Sequence, residues 1–262
     1  MEDCAGAACL RPRRFGKGFR VKKQFAGLLV AVTVLWANSM VFAQQAAPSS
    51  IERFSVNISA EQIPNLDGLK SQLKKYQACT CACGCYAKDI DVQADRAIAF
   101  LRQRAAHRQG AEKLAVVLDI DETTLSNYEQ MQKADFAYNN AAFNAWVDSA
   151  QAPAIGGTLR LYREAQRLGV AVLFLTGRAE KQRAATEKNL RAQGFQGWER
   201  LILRSAEEKE LTATQYKSAE RARMVKEGYV LILSVGDQWS DLKGAPEAEF
   251  SVKYPNPYYF LP

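Results

Sequence analysis

The chain contains an apolar run that leads directly into acidic residues, Leu114-Ala-Val-Val-Leu-Asp-Ile-Asp-Glu-Thr123. The apolar part has the length and composition of a buried β-strand. In open α/β sheets, ligands bind in the crevice beyond the carboxyl ends of the strands. Asp119 and Asp121 are expected to face that crevice together, because side chains two residues apart share one face of a strand. Two carboxylates so close do not both ionise comfortably unless a cation or a shared proton intervenes. The pair therefore predicts one ionised nucleophile and one proton carrier next to a divalent metal.

The rest of the chain alternates between apolar strands and helical stretches. Strands are expected at 114–118, 170–175, 201–203 and 230–235, with helices at roughly 157–168, 180–193 and 214–227. Continuous apolar strands that alternate with helices predict an α/β fold, a Rossmann-like parallel sheet with helices on both faces. Residues 125–153 break this rhythm and are rich in Asn, Ala and aromatics. We expect them to form a small helical cap inserted after the first strand.

The first 43 residues have the pattern of a signal peptide. Basic residues precede an apolar stretch at 25–36 that is too short to span a bilayer comfortably. Small residues at 41 and 43 suit a signal peptidase, so cleavage is expected after Ala43. An uncleaved membrane anchor is the alternative. Cleavage predicts a periplasmic or secreted protein with no stable membrane association, followed by a linker at 44–65, a helical segment at 66–110 and the main domain at 111–262.

The charge of the chain gives no reason to expect a nucleic-acid partner. The formal net charge is +7, but residues 1–43 carry seven Lys or Arg and two acidic residues. Removing these from the totals of 35 and 28 leaves 28 basic and 26 acidic residues, a net charge near +2. A balance so close to zero lacks the broad positive field that attracts nucleic acid.

Four cysteines alternate in a short cluster at Cys79, Cys81, Cys83 and Cys85. In an exported protein, disulfides are the default. Cysteines two residues apart make strained bridges, so pairing across the cluster or with another chain is expected. Metal binding is the alternative, because four thiolates suit a soft cation, although the spacing is not that of a common zinc site.

Three further features carry chemistry at or near strand ends. Thr176 and Gly177 follow the second strand, and a hydroxyl with exposed backbone N–H groups makes a phosphate cradle. Asp237 and Asp241 follow the strand at 230–235 and can supply oxygen ligands for Mg²⁺. Lys217 lies between them in the chain, near the start of a helix. Thr176 and Lys217 could each alone be an ordinary surface residue, and Asp119 and Asp121 could be a helix-capping pair. Together, these features predict one site on one edge of the sheet.

The chain has one histidine, His107. Phosphatases that use a nucleophilic histidine need a second one nearby, and binuclear metallophosphatases need several. The cysteines lie upstream of the sheet, far in sequence from the phosphate cradle. Covalent catalysis on phosphate would therefore fall to a carboxylate.

These motifs resemble the haloacid dehalogenase superfamily, and within it the secreted acid phosphatases that include plant vegetative storage proteins and bacterial class B and C enzymes. The resemblance runs from about Leu114 to Pro257. The motifs are Val117-Leu-Asp-Ile-Asp-Glu-Thr-Thr-Leu-Ser-Asn127, Leu175-Thr-Gly-Arg178, Asn189-Leu190 with Gly194-Phe195, Trp198-Glu-Arg-Leu-Ile-Leu203 and Gly236-Asp-Gln-Trp-Ser-Asp-Leu242. The cysteine cluster lies outside it.

The resemblance implies a role for each site residue. Asp119 would be the nucleophile that forms an aspartyl-phosphate, and Asp121 the general acid and base. Thr176, Gly177 and Lys217 would hold the phosphoryl oxygens. Mg²⁺ would be bound by Asp119, the backbone carbonyl of Asp121, Asp237 and Asp241. The implied activity is an acid phosphatase acting on a small-molecule phosphate monoester.

A proton donor beside an ionised carboxylate calls for a raised pKa, so we expect a raised pKa for Asp121 and an acidic pH optimum. A phosphotransferase of the same fold and a weakly active storage or binding protein are the alternatives, and a homo-oligomer is compatible with the sequence. Tyr128 and Trp146 could form a stacking surface for substrate, although aromatic residues in such an insertion more often belong to the core.

Overall fold

The computed structural model describes residues 65–80 and 85–261, which belong to one compact unit. The predicted signal peptide at 1–43, the linker up to residue 64, and Cys81 and Cys83 lie outside the described residues. None of the helices within the described part is long and apolar enough to cross a membrane.

The described residues form α-helices, two short 3-10 helices and one sheet. In chain order the elements are α1 (Leu66–Ala78), α2 (Tyr86–Ala106), β1 (Lys113–Leu118), α3 (Tyr128–Lys133), α4 (Asn140–Ser149), α5 (Gly156–Arg167), β2 (Ala171–Ala179), a 3-10 helix (Glu180–Gln182), α6 (Arg183–Ala192), β3 (Arg200–Arg204), α7 (Ala213–Lys226), β4 (Tyr229–Gly236), a 3-10 helix (Trp239–Asp241) and β5 (Phe250–Lys253).

The five strands are parallel and lie in the order β3-β2-β1-β4-β5. The last residue of β1, Leu118, pairs with Phe174 on one side and with Val235 on the other. This register brings the segments that follow β1, β2 and β4 to the same edge of the sheet. We call it the carboxyl edge, and the opposite one the amino edge.

Alternate residues of β1 belong to two separate cores. Val116 and Leu118 pack into a cluster with side chains of α2, α5 and α6, whereas Ala115 and Val117 pack with α7. The central strand is therefore covered on both sides, which explains its uninterrupted apolar sequence. The predicted α/β fold with helices on both faces is confirmed.

Two details of the sheet differ from the prediction. β2 continues to Ala179, so Thr176 and Gly177 lie within the strand and do not follow it. β5 was not predicted, because it has four residues and only one of them, Val252, is buried. An edge strand with little burial lacks the continuous apolar run that marks the inner strands.

Residues 125–153 contain the two cap helices, α3 and α4, as the composition predicted. The end of this segment is fixed to α6, because the Asn189 side chain accepts from the backbone N–H of Ala152 (3.1 Å) and donates to its carbonyl (2.8 Å). Trp146 packs against the main core. The ring of Tyr128 lies against those of Phe136 and Tyr258.

Helices α1 and α2 lie on either side of the cysteine cluster. The Sγ atoms of Cys79 and Cys85, the first and last cysteines of the cluster, lie 2.6 Å apart. This contact brings together the two ends of the cluster, and a disulfide across it stays a prediction.

Candidate active site

Lys217 lies between two buried carboxylates at the carboxyl edge. Its Nζ donates to Oδ1 of Asp119 at 2.6 Å and also to Oδ1 of Asp241. The three side chains are only 8, 7 and 3% exposed, respectively. Burial by itself would lower the pKa of Lys217, but the negative charges of Asp119 and Asp241 outweigh burial and raise it. A permanent positive charge therefore stands beside Asp119.

Helix α7 holds Lys217 in this position. The helix begins with a capping box, in which Thr212 Oγ1 accepts from the backbone N–H of Gln215 (3.2 Å) and the Gln215 side chain accepts from that of Thr212 (2.9 Å). One turn after Lys217, the buried guanidinium of Arg221 donates to backbone carbonyls at positions 241, 243, 244 and 246, at 2.5–3.1 Å. The same helix thus fixes both the cation and the loop that follows β4.

Asp237 is held by three donors. Its Oδ1 accepts from the hydroxyl of Thr123 at 3.0 Å, and its Oδ2 accepts from the side-chain amides of Gln238 (2.6 Å) and Asn256 (2.7 Å). These donors come from three separate segments of the chain, after β1, after β4 and after β5. They fix the orientation of the carboxylate without neutralising its charge.

Asp119, Asp237 and Asp241 each place a carboxylate oxygen within 4.8 Å of the others. Asp241 comes this close because residue 236 is a glycine, since a Cβ there would lie 2.2 Å from the Asp241 side chain. Burial, together with the charge of Asp241, raises the pKa of Asp119 well above its usual range and that of Asp237 to about 6. The cluster has more negative charge than Lys217 compensates, and its ligands are all hard oxygens, so it fits a divalent cation such as Mg²⁺.

The side chain of Asp121 lies outside this cluster and is paired with Arg178. Nη2 of Arg178 is 2.7 Å from Oδ1 of Asp121, and Nε is 3.1 Å from both oxygens. Burial would raise the pKa of Asp121, but the charge and hydrogen bonds of Arg178 outweigh burial and lower it. The expectation of a raised pKa for Asp121 is therefore wrong, and the acidic optimum stays a prediction without that support.

Glu122 is a buried carboxylate that the sequence did not single out. It has a backbone φ of 55° and is 1% exposed. It accepts from the backbone N–H of Asn127 (2.6 Å), from its side-chain amide (3.1 Å) and from the hydroxyl of Tyr259 (2.8 Å). Burial and the charge of Asp121 raise the pKa of Glu122 to about 8. Its contacts are to the polypeptide, which indicates a role in shaping the turn after β1.

Thr176 and Gly177 lie at the carboxyl edge on β2, the strand next to β1. The hydroxyl of Thr176 is buried and accepts from the backbone N–H of Arg178 at 3.1 Å. Gly177 is exposed, and the position where a Cβ would lie has no atom within 4 Å. The backbone is therefore open for a ligand to approach at this point.

The C-terminal tail supplies two contacts that sequence reasoning missed. Asn256 bonds to Asp237, and Tyr259 bonds to Glu122. The sequence could have indicated Asn256 as a site residue, because it follows the end of β5 by three residues. Had the edge strand been predicted, residues just after it would have been placed at the carboxyl edge with the other site residues.

A family model described as HAD superfamily, subfamily IIIB (acid phosphatase) matches residues 37–262. HAD denotes haloacid dehalogenase. The chain belongs to this family of acid phosphatases. The family resemblance drawn from the sequence motifs is confirmed.

Individual relatives of the enzyme agree. Acid phosphatase 1 of Solanum lycopersicum is 38% identical over 179 residues, which cover 67% of this chain and 69% of that protein. The stem 28 kDa glycoprotein of Glycine max is 34% identical over 181 residues, 67% of this chain and 70% of that protein. The class C acid phosphatase from Bacillus anthracis superposes with a TM-score of 0.58 at 21% identity, over 74% of this chain and 86% of that one. It has the same fold.

Proposed function

We propose that this acid phosphatase hydrolyses phosphate monoesters of small molecules through an aspartyl-phosphate on Asp119, with Mg²⁺ as cofactor. The observation that carries the proposal is the contact between Asp119 and Lys217 within a cluster of acidic side chains. A phosphoryl group in transfer spreads negative charge over its equatorial oxygens, so catalysis depends mainly on positioning and charge neutralisation. A carboxylate with a fixed ammonium beside it suits that requirement.

The reaction would take place in two steps. In the first, an oxygen of Asp119 bonds to phosphorus while the bond from phosphorus to the ester oxygen breaks, and the protonated form of Asp121 gives its proton to that leaving oxygen. Because Arg178 lowers the pKa of Asp121, this protonated form is populated mainly at acidic pH. In the second, Asp121 takes a proton from water, and the water oxygen attacks phosphorus and breaks its bond to Asp119. The products are the alcohol and inorganic phosphate, and both carboxyl groups return to their starting state.

Three residues would hold the phosphoryl oxygens. Lys217 would supply a positive charge, Thr176 a hydroxyl, and Gly177 a backbone N–H in open space. The cofactor would be held by Asp119, Asp237 and Asp241, with the backbone carbonyl of Asp121. When bound, Mg²⁺ would offset the repulsion between the carboxylate and the phosphate.

Replacement of the nucleophile tests this proposal. Asp119→Asn keeps the size of the side chain, and we expect it to lower kcat on 4-nitrophenyl phosphate on the order of 10⁴-fold or more. Asp148→Asn, which changes an exposed acid on α4, is the matched control and should retain activity. Circular dichroism of both variants checks the fold. Full activity of Asp119→Asn would rule out the assigned nucleophile.

Two further measurements distinguish the alternatives. EDTA should abolish activity and added Mg²⁺ should restore it. Added alcohol acceptors should yield no phosphorylated alcohol if water is the acceptor, whereas such a product would indicate a phosphotransferase. A storage or binding role would be indicated if the wild-type chain with Mg²⁺ hydrolysed no phosphate monoester.

We also propose that residues 1–43 are removed on export to the periplasm or the medium. The support is the sequence pattern of a signal peptide, with basic residues, a short apolar stretch and small residues at 41 and 43. N-terminal sequencing of the exported protein should begin at Gln44. A full-length chain that stays with the membrane would instead indicate an uncleaved anchor.

A further inference from the structure

The carboxylate of Asp121 is held from two sides. Arg178, at the end of β2, binds it through Nη2 and Nε at 2.7–3.1 Å. On the other side, the side-chain amide of Asn127 donates to Oδ1 at 2.8 Å. Asn127 is the residue directly before cap helix α3. One of these two hydrogen-bond donors therefore belongs to the sheet, and the other lies at the start of the cap.

The amide of Asn127 can adopt only one useful orientation here. Nδ2 donates to Oδ1 of Asp121 and to Oε2 of Glu122 (3.1 Å), while Oδ1 accepts from the indole N–H of Trp146 at 2.9 Å. Rotating the amide by half a turn would point its oxygen at two carboxylates and its NH₂ group at another donor. The side chain is fully buried, so no water would relieve that mismatch.

The indole N–H that fixes this orientation comes from the cap. Trp146 lies in α4, and its ring packs on the main core. A second bond holds α4 to the segment after β2, from the side chain of Gln182 to that of Asn144 at 3.1 Å. Two successive hydrogen bonds therefore lead from a cap helix, through one amide, to the carboxylate of Asp121.

The two oxygens of Asp121 are not equivalent. Within the described part of the chain, Oδ1 accepts from Asn127 and from two nitrogens of Arg178, whereas Oδ2 accepts from Nε of Arg178 at 3.1 Å. Oδ1 therefore already accepts three hydrogen bonds. Oδ2 is the oxygen with capacity left to carry a proton.

We propose that Asn127 is a positioning residue for Asp121, and that Trp146 of the cap sets its orientation, so that α4 aims Oδ2 of Asp121 at the leaving-group oxygen. This inference rests on the proposed role of Asp121 as general acid. It assigns to the cap a part in proton transfer through two named side chains.

A comparison of leaving groups distinguishes positioning from a general structural role. Proton donation matters most when the leaving oxygen is strongly basic, as in an alkyl phosphate, and little when it is 4-nitrophenolate. The quantity to measure is kcat/KM, because it covers only the steps through transfer of the phosphoryl group to Asp119 and excludes the second step, in which Asp121 acts as base. Loss of folded protein lowers kcat/KM equally for both substrates.

Trp146→Phe is the main variant, because it keeps an aromatic ring and removes only the indole N–H and one ring of the side chain. We expect kcat/KM for glycerol 2-phosphate to fall roughly ten- to hundredfold, and that for 4-nitrophenyl phosphate to change less than about threefold. Asn127→Ala should give the same pattern with a larger loss. Trp198→Phe, a partly buried tryptophan that packs on Phe174 away from the site, is the matched control and should change neither value.

Asp121→Asn provides the reference pattern, and should lower kcat/KM for glycerol 2-phosphate far more than for 4-nitrophenyl phosphate. If Asp121→Asn lowers both equally, the assigned acid is wrong and the proposed mechanism fails. If Asp121→Asn is selective but Trp146→Phe lowers both substrates equally, or neither, the positioning role is overturned and the mechanism stands. Should Asn127→Ala fail to fold, Trp146→Phe decides the question alone.

Discussion

Both edges of the sheet carry clusters of charged side chains, but these clusters differ in burial. At the carboxyl edge, Lys217 and its two acidic partners are 8% exposed or less. At the amino edge, Arg104 pairs with Glu112 and Glu249, and these three side chains are 16, 22 and 39% exposed. Solvated ion pairs add little to stability, whereas buried ones cost several kcal/mol in desolvation. The buried set therefore costs stability, which fits the catalytic role proposed for it, whereas the more solvated set costs little.

The largest effect should come from removing the buried cation. Lys217→Met leaves two carboxylates without their partner, and we expect it to lower kcat by about 10²–10³ and the free energy of unfolding by about 3–5 kcal/mol. Urea unfolding with and without Mg²⁺ measures the second effect. If the acidic cluster binds the metal, added Mg²⁺ should restore part of the lost stability.

The same helix carries a matched control for Lys217→Met. Lys226→Met, at the exposed end of the same helix, should change the unfolding free energy by less than about 0.5 kcal/mol. If the two variants have the same free energy of unfolding, Lys217 contributes no more to stability than an exposed lysine. The proposed difference between the two edges would then be wrong.

A smaller effect is expected from changing how Asp121 is held. Arg178→Lys keeps the charge but loses the planar group that contacts both carboxylate oxygens. We expect a loss of roughly 1.5–3 kcal/mol in the free energy of unfolding, typical of hydrogen bonds to a charged group. The same substitution at an exposed position, Arg102→Lys, should be neutral. Equal unfolding midpoints for the two variants would contradict the importance of the buried pair.

The C-terminal tail should affect the metal more than the fold. Asn256→Ala removes one of three donors to Asp237, and we expect the affinity for Mg²⁺ to fall about 10- to 100-fold, with kcat at saturating Mg²⁺ much less changed. Activity titrated against Mg²⁺ concentration measures this. Asn140→Ala, an exposed asparagine on the cap, is the control. If Asn256→Ala does not shift the Mg²⁺ titration curve, the tail is not part of the site.

The smallest effect is expected at Glu164 on α5, whose two arginine partners are 61 and 63% exposed. Hydrogen bonds from Arg167 and Arg102 lower the pKa of Glu164 from 4.5 to about 2. A carboxyl group whose pKa is lowered by folding adds stability above its unfolded pKa, and loses it as the pH falls toward the folded value. Glu164→Gln should therefore be less stable than wild type by at most about 1 kcal/mol near neutral pH. Urea unfolding should show that this difference shrinks from pH 5 to pH 3 and with added salt. A difference that grows in acid would contradict the assignment.

The sequence predicted those parts of the molecule in which local pattern and tertiary structure agree. The buried strands were recognised because both of their faces are covered and their apolar runs are continuous. β5 was missed because an edge strand needs no such run. The acids after β1 and β4 were placed at one edge by the rule for parallel sheets, whereas Lys217 lies on a helix, and its role came from the family resemblance.

The rest depended on contacts between distant parts of the chain. Arg178 reaches Asp121 across 57 residues and reverses the expected direction of its pKa shift. Asn256 reaches Asp237 from a tail whose position follows from the unpredicted β5. Neither contact leaves a periodic signal in the sequence, so the acidic residues at the carboxyl edge were easier to place than the residues that hold them.

Helix α7 has a practical consequence for engineering. Lys217 and Arg221, one turn apart, are fastened to the acidic cluster and to the backbone carbonyls of the loop after β4. Neither sliding nor rotating the helix would satisfy both attachments, so the position of Lys217 tolerates little redesign. Attempts to change which phosphate monoester the enzyme hydrolyses should begin with the solvent-facing side chains of α3 and α4, which take no part in these attachments.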